Sequence, residues 1–416
     1  MSDNFSMYDN SLLAKVNIFF ISLLPIAILS GSFISNLFII IIDIIFIIEL
    51  IKNKNRSLIK DKNFIFLIII FFYIIFNSVY ISSNKSYDLK PYESIVSAIG
   101  FLRFILLAYA LSYYLNFYKS KILNIWLFIF IIVSVDILFE YIFGFNLLGF
   151  SSIEPSRIAS FRFKDLNIGG FYFGLFFIIL FYIKKLNKNF FIISMIIFFI
   201  ISFLIGERSN FLKIFLMISL FWIFFSKIHI YKRGIIFLII VSFTTSLIFF
   251  HPVLKSKYYH HIVEPIIKSY DEEKKINIYL FTKSVEYFGL YNTAFEIFKE
   301  NSFMGAGLKR FRYESYYYQS KNHKLYGAST HPHQFHFELL SELGIIGYLL
   351  IIINILLLII SNINLLKKKE NLFKIGPLLF MMATLFPFLP SGSFFGSYNA
   401  VFFWINYAFL INRNLK

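Results

Sequence analysis

The densest chemistry in the chain lies in His331-Pro332-His333-Gln334-Phe335-His336-Phe337-Glu338. An imidazole can take up and return a proton near neutral pH, which suits a general base. The His-x-His-x-x-His spacing also offers three metal ligands. No external Asp or Cys completes that set, and the chain has no cysteine at all. Pro332 predicts a turn just before the next apolar helix, which places His333 at the start of that helix. The positive end of a helix dipole disfavours the imidazolium and keeps His333 neutral and able to accept a proton. The alternative is an interfacial histidine cluster without a chemical task.

Other residues carry weaker signals. Glu342, Gly344 and Gly347 follow on the same segment. Glycines so spaced let helices approach closely in lipid, with Glu342 bonding a neighbouring helix or loop. Gly305-Ala306-Gly307, followed by Lys309, Arg310 and Arg312, is a glycine-rich turn beside cations. Such a turn suits an anionic ligand, the alternative being a basic patch near anionic lipid. Arg208, in Gly206-Glu207-Arg208-Ser209-Asn210, sits in a hairpin between apolar segments. It can offer a guanidinium to phosphate, or pair with Glu207. Arg103 interrupts an apolar run, IGFLRFILLAYAL. An intramembrane arginine is a functional candidate, or one half of an ion pair with Asp136 or Glu140. Tyr316, Tyr317 and Tyr318 can stack on sugars or belong to an interfacial aromatic belt.

The elements that position these residues are set by composition. Of 416 residues, 58% are hydrophobic and 15% charged, with 58 Phe. A soluble protein this apolar could not cover its surface with polar groups, so a soluble enzyme is excluded. An all-α polytopic membrane protein follows. Twelve transmembrane helices are expected, near 14–32, 34–51, 64–82, 94–116, 122–144, 166–183, 190–206, 210–226, 234–250, 337–360, 375–390 and 398–412. One large external loop containing short helices, roughly 251–335, separates an N-terminal membrane region (1–250) from a C-terminal one (336–416). Within the loop, 276–300 has apolar residues at helical spacing and reads as a surface helix.

The net charge of +17 would suggest nucleic acid in a soluble chain. Here the cations cluster in one set of connections, including Lys52 to Lys62, Lys119 and Lys121, Lys184 to Lys188, and Lys367 to Lys374. The opposite connections carry few, among them Arg157, Arg162 and Arg208. By the positive-inside rule both termini are cytoplasmic and the large loop faces the periplasm or its equivalent. Nucleic acid is not needed to explain the charge. The first apolar run reads as a retained span, not a cleaved signal peptide. No phosphate-binding loop for ATP is visible.

At these residues the chain resembles the O-antigen ligase / O-antigen polymerase superfamily of bacterial membrane glycosyltransferases. THPHQFHFELLSELGIIGYLL (330–350) is similar to the family's His-Asn-x-x-Leu…Glu-x-Gly-x-x-Gly run. FKENSFMGAGLKRFR (298–312) is similar to its Gly-x-Gly turn, GERSNFLKIFL (206–216) to its Ser-Arg-Gly hairpin, and 139–170 more weakly to another patch. Gln334 stands for the usual Asn, Ser302 for the usual Pro, and Tyr287 where many members carry Arg.

The resemblance implies a bacterial inner-membrane enzyme with a periplasmic active site. It moves a glycan from undecaprenyl diphosphate to a sugar hydroxyl of an acceptor such as lipid A–core, with inversion and without metal or other cofactor. His333 is the implied base, and Arg208 with Arg312 or Arg310 binds the diphosphate. His331, His336, Glu342, Arg103 and Arg157 are supporting candidates, and Gly305, Gly307, Gly344 and Gly347 are motif glycines. A polymerase extending the lipid-linked glycan is the alternative. A polysaccharide or lipid transporter is the remoter one, but it would place polar residues along many spans, and these spans are nearly pure Ile, Leu and Phe.

Overall fold

A computed structural model describes residues 11–84, 91–151, 157–162, 168–225, 263–268, 286–323, 325–367, 372–387 and 389–412, with isolated positions between 231 and 270. The described residues are helical apart from turns and one isolated bridge, Phe145 to Ser151. Helices α1 (Leu12–Leu29), α2 (Ser32–Lys52), α3 (Ser57–Lys60) and α4 (Lys62–Asn84) come first. Then follow α5 (Pro91–Phe143), α6 (Ile168–Leu186), α7 (Phe190–Leu204) and α8 (Arg208–Leu220), the last extended by a π-turn over Phe221–Phe225. After α9 (Glu264–Lys268) come α10 (Glu286–Glu300), α11 (Phe311–Lys321), α12 (Phe335–Lys367), α13 (Leu372–Thr384) and α14 (Ser397–Ile411).

The packing inverts that of a soluble bundle. On α2, Ile40, Ile44 and Ile48 recur every four residues and are exposed, while Ile39, Ile42 and Phe46 are buried. On α4, Ile65, Ile69, Phe72 and Phe76 face outward and Leu67, Ile70 and Ile74 inward. Outward apolar stripes of this kind need lipid as their solvent. Seven of the described helices are long and apolar enough to cross a membrane. The chain is therefore a multi-pass membrane protein.

The expected segments meet helices at every position except 234–250, which lies almost wholly outside the described residues. Segments 94–116 and 122–144 are the two halves of α5, whose backbone leaves helical geometry at Tyr118 (φ −121°, ψ 20°). The α7, α13 and α14 helices are shorter than a full span. Helix 276–300 is seen from Glu286, its earlier part lying outside the described residues.

At the centre is α6, in which every residue from Ile168 to Tyr182 is buried. It packs so closely on α14 that a Cβ on Gly174 would meet ring carbon Cδ1 of Phe402 at 2.3 Å. The loops that bear the candidate residues gather at one end of the bundle. There Arg162 Nη1 donates to Ile28 O at 3.1 Å, Ile158 N to Ile205 O at 3.1 Å, and Ser391 N to His333 O at 2.8 Å. At the other end Lys374 is buried, its ammonium donating to Asn362 Oδ1 and Leu410 O at 3.0 Å each.

Replacing Gly174 with Leu should overpack the α6–α14 contact and cost about 1–3 kcal/mol. Ile44→Leu, on the outward stripe, should be neutral. Thermal unfolding in detergent separates the two, and equal melting points would contradict the close packing.

Candidate functional site

The site is built on a break in α12. The backbone at Gly344 has φ +66° and ψ −172°, so 335–343 and 345–367 are two helices in series. A break frees carbonyls before it and amides after it, and these need partners. The turn Ser302–Gly307 supplies them. Ala306 N donates to Ser341 O at 2.8 Å and Gly307 N to Glu342 O at 2.9 Å. In the other direction Ile345 N donates to Ser302 O at 2.8 Å and Ile346 N to Phe303 O at 3.3 Å.

Glycine is required on both sides of this joint. A Cβ on Gly344 would meet Phe303 O at 2.3 Å, and one on Gly305 would meet Glu342 O at 2.5 Å. Helix α4 buttresses the joint: Tyr73 Oη donates to Leu343 O at 2.7 Å, and Asn77 Nδ2 donates to Met304 O. Gly344 thus breaks the helix and packs closely on the 302–307 turn, where its spacing suggested a helix–helix contact. Gly347 does pack closely, its Cβ position lying 2.7 Å from Tyr73 Cε1.

The docked turn also corrects the reading of Gly305-Ala306-Gly307 as an anion cradle. Their amides are spent on Asn301 O, Ser341 O and Glu342 O. What the turn presents is the cations after it. Lys309, in a left-handed backbone (φ +62°), donates its amide to Glu342 Oε2 at 2.8 Å, as expected of a Glu342 bonding a loop. Its ammonium reaches Ser393 Oγ at 3.2 Å. Arg310 is buried, its guanidinium 5.6 Å from the Tyr313 ring centroid. Arg312 pairs with Glu93 at the start of α5 (Nη1 to Oε1, 2.9 Å).

His333 sits just ahead of α12, as Pro332 predicts, in a left-handed conformation (φ +57°). A non-glycine residue held there is strained and must be held by its surroundings. Gln334 caps the helix, accepting from Phe337 N at 2.8 Å, and donates to Pro387 O at 2.9 Å. His333 Nε2 and Ser329 Oγ are 3.3 Å apart, and the His331 and His333 rings lie 4.0 Å apart. His336 turns the other way, toward Tyr348 Oη (3.1 Å) and Leu385 O (2.8 Å). The three imidazoles therefore do not converge. Among the described residues no group of three or more His, Asp or Glu could hold a metal ion.

Burial, then the Lys309 and Arg312 charges, push the His331 pKa down to about 4. These two cations therefore act on the same pocket as the imidazoles.

The loop between α13 and α14, which carried no sequence signal, closes the site. Ser393 donates to Glu338 Oε1, and Phe394 N donates to Glu338 Oε2 at 2.7 Å. Together with Ser391 N on His333 O, these bonds tie Pro387–Phe394 along the first turns of α12.

Arg208 opens α8, partly exposed. Its neighbour Glu207 is buried and accepts from Gly169 N at 2.8 Å and Asn210 Nδ2 at 2.6 Å, with Arg157 and Arg162 as nearby cations. Burial nonetheless raises the proton affinity of Glu207. Arg162 lies 4.0 Å over the Tyr398 ring. Arg103 does not meet Asp136 or Glu140. Those carboxylates accept from Leu147 N and Ser160 Oγ, and from Ala159 N and Ser160 N, pinning the loop after α5. Arg103 instead bonds Gly100 O (2.8 Å) and Ser397 Oγ (3.4 Å) and shares a cavity of about 260 Å³ with Asp43. Of the tyrosine trio, Tyr316 and Tyr317 are exposed and Tyr318 is buried in a small external core with Phe311, Leu290 and Ile297.

Gly344→Ala should lower stability by on the order of 3 kcal/mol, from the left-handed backbone and the backbone collision together. An unchanged melting temperature would contradict the joint. His331 titrates near 6.5 when unfolded and near 4 in place, so the unfolded chain binds more protons between those values. Stability should fall as pH drops from about 6.5 toward 4. His331→Gln should flatten that part of a melting-temperature profile, and an identical slope would contradict the burial.

Residues 193–352 match the family model described as O-antigen ligase. No curated protein matches the chain. The matched segment runs from before Arg208 to beyond Gly347 and includes His333 and the Gly305–Arg312 turn.

Proposed function

We propose, for a chain that belongs to the O-antigen ligase/polymerase superfamily, that it is a ligase-type glycosyltransferase. It moves a glycan from undecaprenyl diphosphate to a sugar hydroxyl of an acceptor such as lipid A–core. The observation that carries this reading is His333, held in a left-handed backbone against His331, which feels the Lys309 and Arg312 charges, inside the family-matched segment.

The acceptor hydroxyl approaches His333 Nε2, which takes its proton as the oxygen bonds to the anomeric carbon. The bond from that carbon to the diphosphate breaks on the opposite face, so the linkage inverts. Charge grows on the departing diphosphate, and preorganised cations aimed at it stabilise the transition state. Arg208, Arg310 and Arg312 are the proposed cations, with Lys309 beside them. Arginines supply the charge that a metal supplies in other transferases, and their planar forks match phosphate oxygens. The active site faces the periplasm, with both termini cytoplasmic. The compact layout, with twelve expected spans, favours transfer of a finished glycan over extension of a lipid-linked one.

The test is a His333→Ala strain in which lipopolysaccharide and the lipid-diphosphate-linked glycan are both resolved on gels. Bare core with long glycan trapped on the carrier is the expected result. Single repeat units with no long chains in either fraction would mean a polymerase. A wild-type profile would sink the catalytic role of His333.

A further inference from the structure

A row of aromatic rings leads to His333. Tyr287 and Tyr291, one turn apart on α10, are nearly parallel (16°) with centroids 6.4 Å apart. Tyr291 in turn is parallel to Phe337 of α12 (17°, 5.1 Å). At the other end the Tyr287 ring lies 5.5 Å from the His333 ring. All three are partly buried and rest on the small external core of Leu290, Ala294, Ile297 and Phe311. Because two helices and a packed core fix them, their positions do not depend on a ligand.

Polar groups gather at the His333 end of the row. Ser329 Oγ is 3.3 Å from His333 Nε2, and Thr330 Oγ1 is 3.0 Å from His331 Nδ1. A surface that is aromatic along its length and lined with hydroxyls and imidazoles at its tip fits a ligand of the same mixed character. A pyranose ring is such a ligand. Its axial C–H bonds are weakly positive and pack on the negative face of an aromatic ring, while its hydroxyls seek donors and acceptors at the edge. A lipid chain would leave the imidazole and hydroxyl end unsatisfied.

We infer that Tyr287 and Tyr291 form a sugar-binding subsite that seats a pyranose ring next to His333. The inference rests on the glycosyl-transfer reading and goes further, since it assigns the ring contact to α10 and not to the exposed Tyr316 and Tyr317. The half-exposed sides of the two Tyr rings hold the sugar, and His333 meets one of its hydroxyls.

The test uses the full chain in detergent micelles and, as probe, oligosaccharide released by mild acid from the producing strain's own surface polysaccharide. Binding is read by saturation-transfer NMR, and transfer by the glycan gel profile. Tyr287→Ala and Tyr291→Ala should each weaken binding about tenfold, the scale of one aromatic contact. Tyr287→Phe, which keeps the ring and guards against a simple folding failure, should stay within about twofold of wild type. His333→Ala should lose only the one hydroxyl contact, weakening binding less than either Tyr→Ala change, and transfer nothing. Wild-type binding by Tyr287→Ala, or no binding by the wild-type chain, overturns the subsite even when His333→Ala abolishes transfer. Retained transfer in His333→Ala overturns the underlying reading instead.

Discussion

Four backbone hydrogen bonds across the break at Gly344 hold the candidate site together. A helix interrupted in this way exposes carbonyls and amides that must find partners. The turn from Ser302 to Gly307 satisfies them in both directions, as a short strand would. The joint therefore cannot open without leaving polar groups stranded, and it fixes the turn to α12 at backbone precision. Since Lys309, Arg310 and Arg312 follow the turn directly, their cations are carried to the same end of α12 that bears His333.

The second constraint is electrostatic. Glu338 and Glu342 lie one turn apart on the short first half of α12, both fully buried. Two carboxylates out of water are costly unless each is paired and hydrogen-bonded. Each receives a backbone amide, Phe394 N for Glu338 and Lys309 N for Glu342, and the Lys309 ammonium reaches Ser393, which itself donates to Glu338. Pairs of this kind add little net stability, but they tolerate only one arrangement of their partners. The three segments 305–312, 333–342 and 387–394 are thereby held in one geometry.

Much of this was legible in the sequence and some was not. Apolar runs located the helices because spanning length is set by the bilayer, and Pro332 located the start of α12 because its ring fixes the backbone. The break was hidden because Gly344 and Gly347 have the spacing of a helix-packing pair, and a positive φ leaves no mark on composition. Asp43 as the acid facing Arg103 was invisible, since pairing between helices far apart in sequence depends on how they pack. The segment Pro387–Phe394 gave no signal at all. Its contributions are one serine hydroxyl, two backbone amides and one backbone carbonyl, and such backbone groups mark no residue type.

The distribution of polarity bears on the choice between enzyme and transporter. A transporter places its polar groups at the midplane, where discontinuous helices meet. This chain does have a discontinuous helix, but the break comes only nine residues into α12, at the end of the bundle where the loops converge. The polar groups around it, His333, Glu338, Glu342, Lys309 and Ser393, are bonded to that same set of loops. The opposite end is sealed differently, by the buried Lys374 on Asn362 and the Leu410 carbonyl. Between them α6 is packed with aromatic and aliphatic side chains from Ile168 to Tyr182. Among the described residues, α6 leaves no polar path through the middle of the bundle, and the candidate residues lie together at one end of it.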